Sequence, residues 1–239
     1  MTTISFPELN TLLTSRGRVV ATMPLDLSNH LFKDLDLSGM DLSDIDFSQC
    51  NFVNVRFDNA NLSRSNLSHV MCSADCSFKG AILKDADISA SIFRHCDFSN
   101  SNMEGANLFR SVFEFANMDN IKIDDNTKYF KMRCPEKGAF VGYKRCFNDA
   151  VVMLLIPADA KRSSATHNSC RCDKAKVLQI QSFDGKVNLK EAWSVVDENF
   201  VYRVGEYVSV PDFNEDRWRD STTGIHFWMT REEAYSYLK

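Results

Sequence analysis

The first residues that could do chemistry form a run of basic and hydroxyl side chains in the C-terminal half. The run lies between residues 156 and 174 and contains Lys161, Arg162, Ser163, Ser164, His167 and Arg171. If this run forms a loop, it can hold a phosphate or another anion through its cationic side chains and backbone N–H groups. His226, beside Phe227 and Trp228, joins the run as a candidate ligand-binding residue. The alternatives are a solvated connector and a loop that docks on an acidic surface of the same chain.

A catalytic interpretation of these residues has less support. Ser163, Ser164 or Cys170 can supply a nucleophile and His226 a base, but no spacing in the sequence brings them together. The sequence contains no Gly-x-Ser-x-Gly elbow, no Gly-rich phosphate loop and no His-Glu-x-x-His motif. We therefore predict that the protein is not an enzyme. For the C-terminal half the sequence leaves this question open.

A metal site can be considered at His167, Cys170 and Cys172, with Cys134 and Cys146 as further thiols. Zinc needs about four His or Cys ligands in a tetrahedron, and Cys-x-Cys is an awkward spacing for it. No pair in the sequence has the usual Cys-x2-Cys spacing. We predict no metal and no other cofactor; ordinary thiols and a redox role are the alternatives.

An acidic row marks the N-terminal half of the chain and consists of Asp34, Asp36, Asp41, Asp44 and Asp46. Residues 26–125 contain 16 Asp and Glu against 8 Lys and Arg, a net charge of −8. Carboxylates on a rigid surface create a negative field that attracts a basic protein cleft. The alternative is that Asp simply suits the turn positions of this segment. Residues 126–239 carry only +3, so direct binding of nucleic acid is not expected.

The acidic row belongs to a five-residue period that runs from about Leu25 to Asp125. A large apolar residue recurs at every fifth position, and the frame slips by one residue near Ala74. A period of five is neither the 3.6 of a helix nor the 2 of a strand. Such short units bury their inward side chains only by coiling and stacking on one another. The recurring residues include Leu27, Phe32, Leu37, Leu42, Phe47, Phe52, Phe57, Leu62, Leu67, Cys72, Phe78, Leu83, Ile88, Phe93 and Phe98.

This period resembles the pentapeptide-repeat family. AlaAsnLeuSerArg at 60–64, AlaAspIleSerAla at 86–90 and AlaAsnLeuPheArg at 106–110 match its A-(D/N)-L-x-x consensus. The resemblance implies a right-handed quadrilateral β-helix of about five coils, so residues about twenty apart stack on one face. The extra residue near Ala74 is expected to bulge from a corner and to distort the coil.

The resemblance also bears on function, because some relatives are thought to bind DNA gyrase or topoisomerase by mimicking DNA. We predict a non-enzymatic protein-interaction module that presents the acidic rod to a protein partner. Its specific form would be a DNA-mimic inhibitor of a type II topoisomerase or another DNA-binding protein, or a phage counter-defence factor. The chain could form a homodimer, and no membrane contact is expected. The alternative function is binding of a small ligand, an anion or a nucleotide by the C-terminal domain.

The segments that flank the repeat predict its ends. SerPheProGlu at 5–8 starts a helix, and residues 18–23 read as a lead-in strand, so residues 1–24 are expected to cap the first coil. Phe109 and Phe115 occupy positions that the repeat normally gives to solvent. They predict a contact with the following domain. The repeat itself is placed at 25–126.

Residues 127–239 lack the period and predict a small α+β domain on an antiparallel sheet. The expected elements are strands at 139–147, 150–156, 174–183, 200–210 and 224–229 and a helix at 231–238. Segments 142–146, 156–165, 170–178 and 221–228 resemble a domain that follows pentapeptide repeats in phage and bacterial proteins. That domain has no assigned activity. The whole chain is therefore predicted to be mainly β.

Composition and cysteine usage suggest the compartment. The chain is 44% hydrophobic and 25% charged, as in ordinary soluble proteins. No apolar run reaches the length of a membrane span, and residues 1–20 lack the features of a signal peptide. Cys50, Cys76 and Cys96 fall on small inward positions, where a reduced thiol acts as a small hydrophobe. A reducing cytoplasm is expected.

Overall fold

A computed structural model describes residues 1–16, 24–219 and 222–237, so the strand predicted at 18–23 lies outside the described residues. The described chain is mainly β and contains two helices. It divides into two compact units, Met1–Phe130 and Lys131–Lys239, a few residues after the predicted boundary at 126/127. Neither of the helices in the described segments has the length and apolar character that crossing a membrane requires.

The first unit consists of short strands joined by turns, with one helix near its start. The strands are β1 (Thr2–Ile4), β2 (Leu25–Asp26), β3 (His30–Asp36), β4 (Ile45–Asp46), β5 (Asn51–Arg56) and β6 (Met71–Ser73), and the helix is α1 (Phe6–Arg16). One sheet has the order β1-β3-β5-β6 and a second pairs β2 with β4. Every strand pair in this unit is parallel, as a chain that coils in one direction requires.

Parallel pairing places each repeat residue beside another at a fixed distance along the chain. Phe32 pairs with Phe52, and Phe52 pairs with Cys72, in both cases 20 residues on. The offset becomes 21 for pairs that span the slip, such as Arg56 with Ser77. At the slip, Ala74 and Asp75 both have left-handed backbones, with φ of 51° and 58°. The predicted bulge is therefore present and absorbs the extra residue.

The large inward side chains form buried stacks. The ring of Phe78 stacks on Phe57 at 4.8 Å and on Phe98 at 4.7 Å between centroids. Phe93 stacks on Phe113 at 5.5 Å, whereas Cys72 interrupts the same row on its other side. All five rings are buried, so the core of the unit is a column of stacked apolar side chains.

Each unit of five turns the chain at one left-handed residue. Non-glycine residues hold this conformation at a spacing of five, as in Asn54, Asn59 and Arg64, with φ of 53°, 57° and 57°. Asn and Asp tolerate the left-handed region better than most residues because their short side chains bond locally. The frequent Asn and Asp of this segment thus follow in part from its turns.

The start of the chain covers the first coil in a way that was only partly predicted. The Ser5 N–H and hydroxyl both donate to the Glu8 carboxylate, at 2.9 and 2.6 Å, so the predicted helix start is present. The Ser5 hydroxyl is the main reason that the pKa of Glu8 lies below its usual value. Strand β1, which was not predicted, pairs with β3 and protects the exposed edge of the sheet.

The second unit is built on an antiparallel sheet with the order β14-β11-β8-β7-β15-β10-β9. A two-stranded sheet, β12-β13, and one helix complete it. The elements are β7 (Phe140–Arg145), β8 (Ala150–Ile156), β9 (Arg162–Ser163), β10 (Ser169–Cys172), β11 (Lys174–Ser182), β12 (Glu191–Trp193), β13 (Val201–Arg203), β14 (Tyr207–Ser209), β15 (Ile225–Trp228) and α2 (Arg231–Ser236).

Two details differ from the sequence-based prediction. The single strand expected at 200–210 is wrong: β13 pairs with β12, and β14 pairs with β11, with a turn between them. Gly205 holds φ at 89° in that turn, which a residue with a side chain rarely adopts. Strands β9, β10 and β12 were not predicted, because runs of two to four residues are too short to give a periodic signal. The closing helix begins at Thr230 with a complete capping box.

Replacing Phe78 with Ala should destabilise the first unit by about 3–5 kcal/mol, because the substitution leaves a cavity between two stacked rings. Urea unfolding followed by far-UV circular dichroism measures this loss.

Phe115→Ala is the matched control, since Phe115 is 55% exposed and stacks on His95 at the surface, and it should cost less than about 1 kcal/mol. Fluorescence of Trp193, Trp218 and Trp228, which all lie in the second unit, identifies the transition of that unit. Equal losses for the two variants would contradict the stacked core.

Candidate functional site

The basic run between residues 156 and 174 is partly a loop and partly strand, and several of its polar side chains are buried. Ser163 lies in β9 and Arg171 in β10, and both side chains are buried. Ser164 is also buried, and its hydroxyl accepts the N–H of Arg133 at 2.7 Å. His167 is half-buried between the two strands. Anion binding by these residues stays a prediction, but the Ser164 hydroxyl already serves a hydrogen bond inside the unit.

The two arginines of the run are occupied by backbone carbonyls. Arg162 donates to the carbonyls of Gly138 and Pro157, both at 2.6 Å, and of Ala158 at 2.9 Å. Its guanidinium also lies 5.2 Å from the centre of the Phe140 ring. A guanidinium whose donors are used in this way fastens a loop and has little capacity left for an anion.

Arg171, on the neighbouring strand β10, has a similar role. Its Nη1 donates to the carbonyls of Asn214 at 3.0 Å and Thr223 at 2.9 Å, and its Nη2 to that of Asp216 at 3.1 Å. The last basic side chain, Lys161, pairs with Glu215. The structure therefore does not bring the predicted anion-binding residues together around an open site.

A cleft of about 470 Å³ does open in the second unit, and one predicted residue, His226, lines it. Its size is within the usual range for pockets that hold small molecules, roughly 300–1,000 Å³. We call it the Lys144 cleft. It is lined by Lys144, Ser194, Val196, Asp197, Phe200, Tyr202, Val210, Asp212, Thr222, Thr223, Gly224, Ile225 and His226.

Lys144 is the unusual residue of the cleft. Its position in β7 puts it on the inward side together with Gly142, and only 6% of it is exposed. Its Nζ donates to the carbonyl of His226 at 3.2 Å and lies 6.0 Å from the centre of the Tyr202 ring. No carboxylate among the described residues forms an ion pair with it, and burial lowers the pKa of Lys144.

The groups around the Lys144 ammonium are neutral at pH 7. Cys146 and Cys172 lie near it, and burial raises the pKa of each thiol to about 12. Burial also raises the pKa of Tyr202 well above its usual value. A buried cation without a counter-ion is costly, so perturbed lysines of this kind are often functional. The sequence held a signal for it, because strand alternation from Gly142 places Lys144 on the inward face.

The acidic row of the first unit lies at the surface, but its oxygens serve the turns. Asp36, Asp41 and Asp46 each accept the backbone N–H two residues later, at 3.0, 3.2 and 2.8 Å. Hydrogen bonds from the Ser38 hydroxyl and N–H lower the pKa of Asp36. Asn61 makes the same bond at 3.1 Å, so the position requires an oxygen acceptor and not a charge.

The other two members of the acidic row also have structural partners. Arg64 binds both oxygens of Asp44, at 2.7 and 2.6 Å, and thereby neutralises it. Asp34 accepts the side-chain amide of Asn54 at 2.9 Å. Asp34 and Asp44 also occupy left-handed positions, with φ of 54° and 55°. The row is therefore explained by the requirements of the turns.

One face of the first unit carries apolar side chains where the other faces carry polar ones. The outward row on this face pairs in register from Leu31 through Asn51, Met71 and Ile92 to Val112. We call Leu31, Met71, Ile92 and Val112 the apolar face. The equivalent rows on the other faces are Asp36, Arg56, Ser77, Asp97, Asn117; Asp41, Asn61, Ile82, Asn102, Lys122; and Asp46, Asn66, Asp87, Asn107, Lys128.

The aromatic residues expected to contact the second domain have neighbours within the first unit. The Phe109 ring lies 4.6 Å from that of Tyr129, and Phe115 stacks on His95 at 5.0 Å. Their contact with the second domain stays a prediction. All eight cysteines are free and buried, and no three metal-ligating side chains converge among the described residues.

The family comparison agrees with this geometry. The model for pentapeptide repeats matches residues 32–68, 74–100 and 93–123. Between residues 32 and 123, only 69–73, next to the slip in the frame, fall outside these matches. The second unit matches, over residues 130–234, a family of unknown function, DUF5758. No curated protein matches the chain.

Solved pentapeptide-repeat proteins are similar to the repeat segment at low identity. Rfr23 from the cyanobacterium Cyanothece 51142 is 17% identical over 50% of this chain and 97% of its own, with a TM-score of 0.27. HetL from Nostoc sp. strain PCC 7120, involved in heterocyst differentiation regulation, is 19% identical over 48% of this chain and 49% of its own, with a TM-score of 0.25. QnrB1, a plasmid-mediated fluoroquinolone resistance protein, is 15% identical over 43% and 91%, with a TM-score of 0.23.

Replacing Arg171 with Lys should destabilise the second unit by about 2–3 kcal/mol, because an ammonium cannot reach three carbonyls that a planar guanidinium spans. Urea unfolding followed by tryptophan fluorescence measures the change.

Arg203→Lys is the control, since Arg203 forms an exposed pair with Glu191 and should change stability by less than about 1 kcal/mol. Unchanged stability of the Arg171 variant would show that charge alone matters there and would reopen the anion site.

Proposed function

We propose that the pentapeptide-repeat domain is a rigid scaffold that binds a protein partner through its apolar face. The observation that carries this proposal is the row of Leu31, Met71, Ile92 and Val112 in parallel register. The three equivalent rows on the other faces contain one apolar residue between them, Ile82. Apolar side chains that follow one face of a rigid surface are typical of protein contact sites.

The apolar face is costly for the repeat, which supports a role in binding. On the other faces, Asp or Asn at the same position commonly accepts an N–H of the following turn, as Asp87 does from Ser89 at 3.0 Å. An aliphatic side chain cannot make that bond, and it exposes apolar surface to water. Met71 is 47% exposed. The repeat alone therefore gives no reason for these residues, whereas burial against a partner does.

The proposal includes the finer features expected from the resemblance. We propose that the domain is a right-handed quadrilateral β-helix of about five coils, which the 20-residue offsets of its pairs support. We propose that it acts without catalysis, because its polar side chains serve the turns. A reducing compartment such as the cytoplasm is proposed from the eight free thiols.

The second candidate is a DNA mimic that presents the acidic row to a topoisomerase or another DNA-handling enzyme. Hydrogen bonds that keep the pKa of Asp36 low favour it, because they maintain the charge. The charge density favours it less. The segment carries −8, over about 24 Å of stacked strands, whereas DNA carries one charge per about 1.7 Å. Arg64, which this net charge already includes, pairs with Asp44 inside the acidic row itself.

Met71→Glu should abolish capture of the partner, because it places a charge in the centre of the apolar face. Tagged wild type and variant are compared by affinity capture from a bacterial lysate with quantitative mass spectrometry. Ile82→Glu is the matched control, since Ile82 is similarly exposed, at 41%, on another face. A partner that binds both variants equally, or neither, would contradict a role specific to this face. Self-association of the wild type measured by light scattering would identify a second copy as the partner.

The combined substitution of Asp36, Asp41 and Asp46 by Asn separates the two candidates. Asn keeps the oxygen that accepts the turn N–H, so stability should change by less than about 1 kcal/mol while three charges disappear. Partner capture should be unchanged if the apolar face binds. If the variant captures less partner than the wild type, and if that capture depends less on salt concentration, the result would favour the DNA mimic.

A further inference from the structure

We propose that the Lys144 cleft binds a small organic monocarboxylate, whose carboxylate pairs with the ammonium of Lys144. This site lies in the second unit and is independent of the proposed partner binding by the repeats. The proposal depends on four features of the cleft: a buried ammonium without a counter-ion, hydroxyl groups beside it, an apolar wall and an acidic rim.

The missing counter-ion is the first feature. Lys144 is only 6% exposed, and within the described residues its ammonium has one hydrogen-bond acceptor, the carbonyl of His226 at 3.2 Å. An ammonium has three donors, so two remain for a ligand. A buried cation normally has a paired anion, because removing an unpaired charge from water is strongly unfavourable. A carboxylate in the cleft would supply the charge that the chain does not.

The lining of the cleft indicates the rest of the ligand. Ser194, Thr222 and Thr223 provide hydroxyl groups that can bond to a carboxylate or to a polar substituent. Gly224 has φ of 145°, and an added Cβ would lie 3.2 Å from Arg171, so only glycine fits the loop that borders the site. Apolar side chains form the remaining wall and favour an organic body: Val196, Phe200, Tyr202, Val210 and Ile225.

The rim of the cleft selects the charge of the ligand. Asp197 and Asp212 line the cleft and are exposed. Two carboxylates at the rim repel a dianion more strongly than a monoanion. A phosphate or a nucleotide is therefore disfavoured, which separates this site from the phosphate loop that the sequence predicted around Arg162. An organic acid with one carboxylate pairs with the single ammonium and is repelled less by the two rim carboxylates than a dianion is.

Thermal unfolding in the presence of sodium benzoate and sodium butyrate tests the proposal. Either salt should raise the melting temperature of the second unit more than sodium chloride or sodium phosphate does at the same ionic strength. Lys144→Met should weaken carboxylate binding about tenfold or more, so that a higher salt concentration is needed for the same rise in melting temperature. Lys190→Met, at an exposed lysine of the same unit, is the matched control and should leave the effect unchanged.

The same variant separates a binding residue from a structural one. Methionine has a similar size and no charge, so Lys144→Met without ligand should melt at a higher temperature than the wild type. Burial lowers the pKa of Lys144. The buried charge therefore destabilises the folded state at low pH, and this destabilisation decreases as the pH rises above the lowered pKa. Carboxylate binding needs the protonated amine and should weaken over the same interval. Cys146, Cys172 and Tyr202, which face the amine, stay neutral below about pH 10, because burial raises their pKa values.

A measurement on the wild type covers the case in which the variant does not fold. Brief acetylation with acetic anhydride, followed by peptide mass spectrometry, should show protection of Lys144 by benzoate and none of Lys190. The proposal is wrong if neither carboxylate raises the melting temperature, if Lys144→Met keeps the full effect, or if benzoate leaves acetylation of Lys144 unchanged.

Discussion

The hydrogen bond between the backbones of successive coils is the interaction on which the first unit depends. The N–H of Phe57 donates to the carbonyl of Ser77 at 2.7 Å, and that of Leu62 to Ile82 at 2.7 Å. Because the same bond recurs unit after unit, inward side chains must stack and outward side chains must form rows. The one extra residue at Ala74 is tolerated only because it leaves the pairing through a bulge. Stability and surface pattern therefore have the same cause.

This constraint also separates residues that serve the fold from residues that need another explanation. Asp36 and Asn61 hold equivalent turn bonds, so the acidic surface follows from local geometry. Met71 and Ile92 stand in the same outward register and contribute nothing comparable to a turn. The function of a repeat surface is thus best sought where it departs from its own repeat, and here that is the apolar face.

The second unit differs from the first, because several of its buried polar side chains bind backbone carbonyls of loops. Arg162 and Arg171 reach backbone carbonyls of loops that no sheet hydrogen bond fixes. Lys144 departs from this pattern, since a single carbonyl accepts from its ammonium among the described residues. In a low-dielectric interior such a group either destabilises the fold or belongs to a binding site. Its place on the wall of a cleft supports a binding site.

The sequence by itself determined the repeat architecture, because a five-residue period leaves few ways to bury Phe32, Phe52 and their equivalents. It also located four strands of the second unit, β7, β8, β11 and β15. It could not determine the fate of polar residues: Arg171 looks like an anion ligand until the loop carbonyls at its guanidinium are known. Lys144 likewise became a candidate only when β7, β13 and β15 met around it. Periodicity can be read from residues that are close in the sequence. Hydrogen bonds between residues that are distant in the sequence depend on tertiary packing.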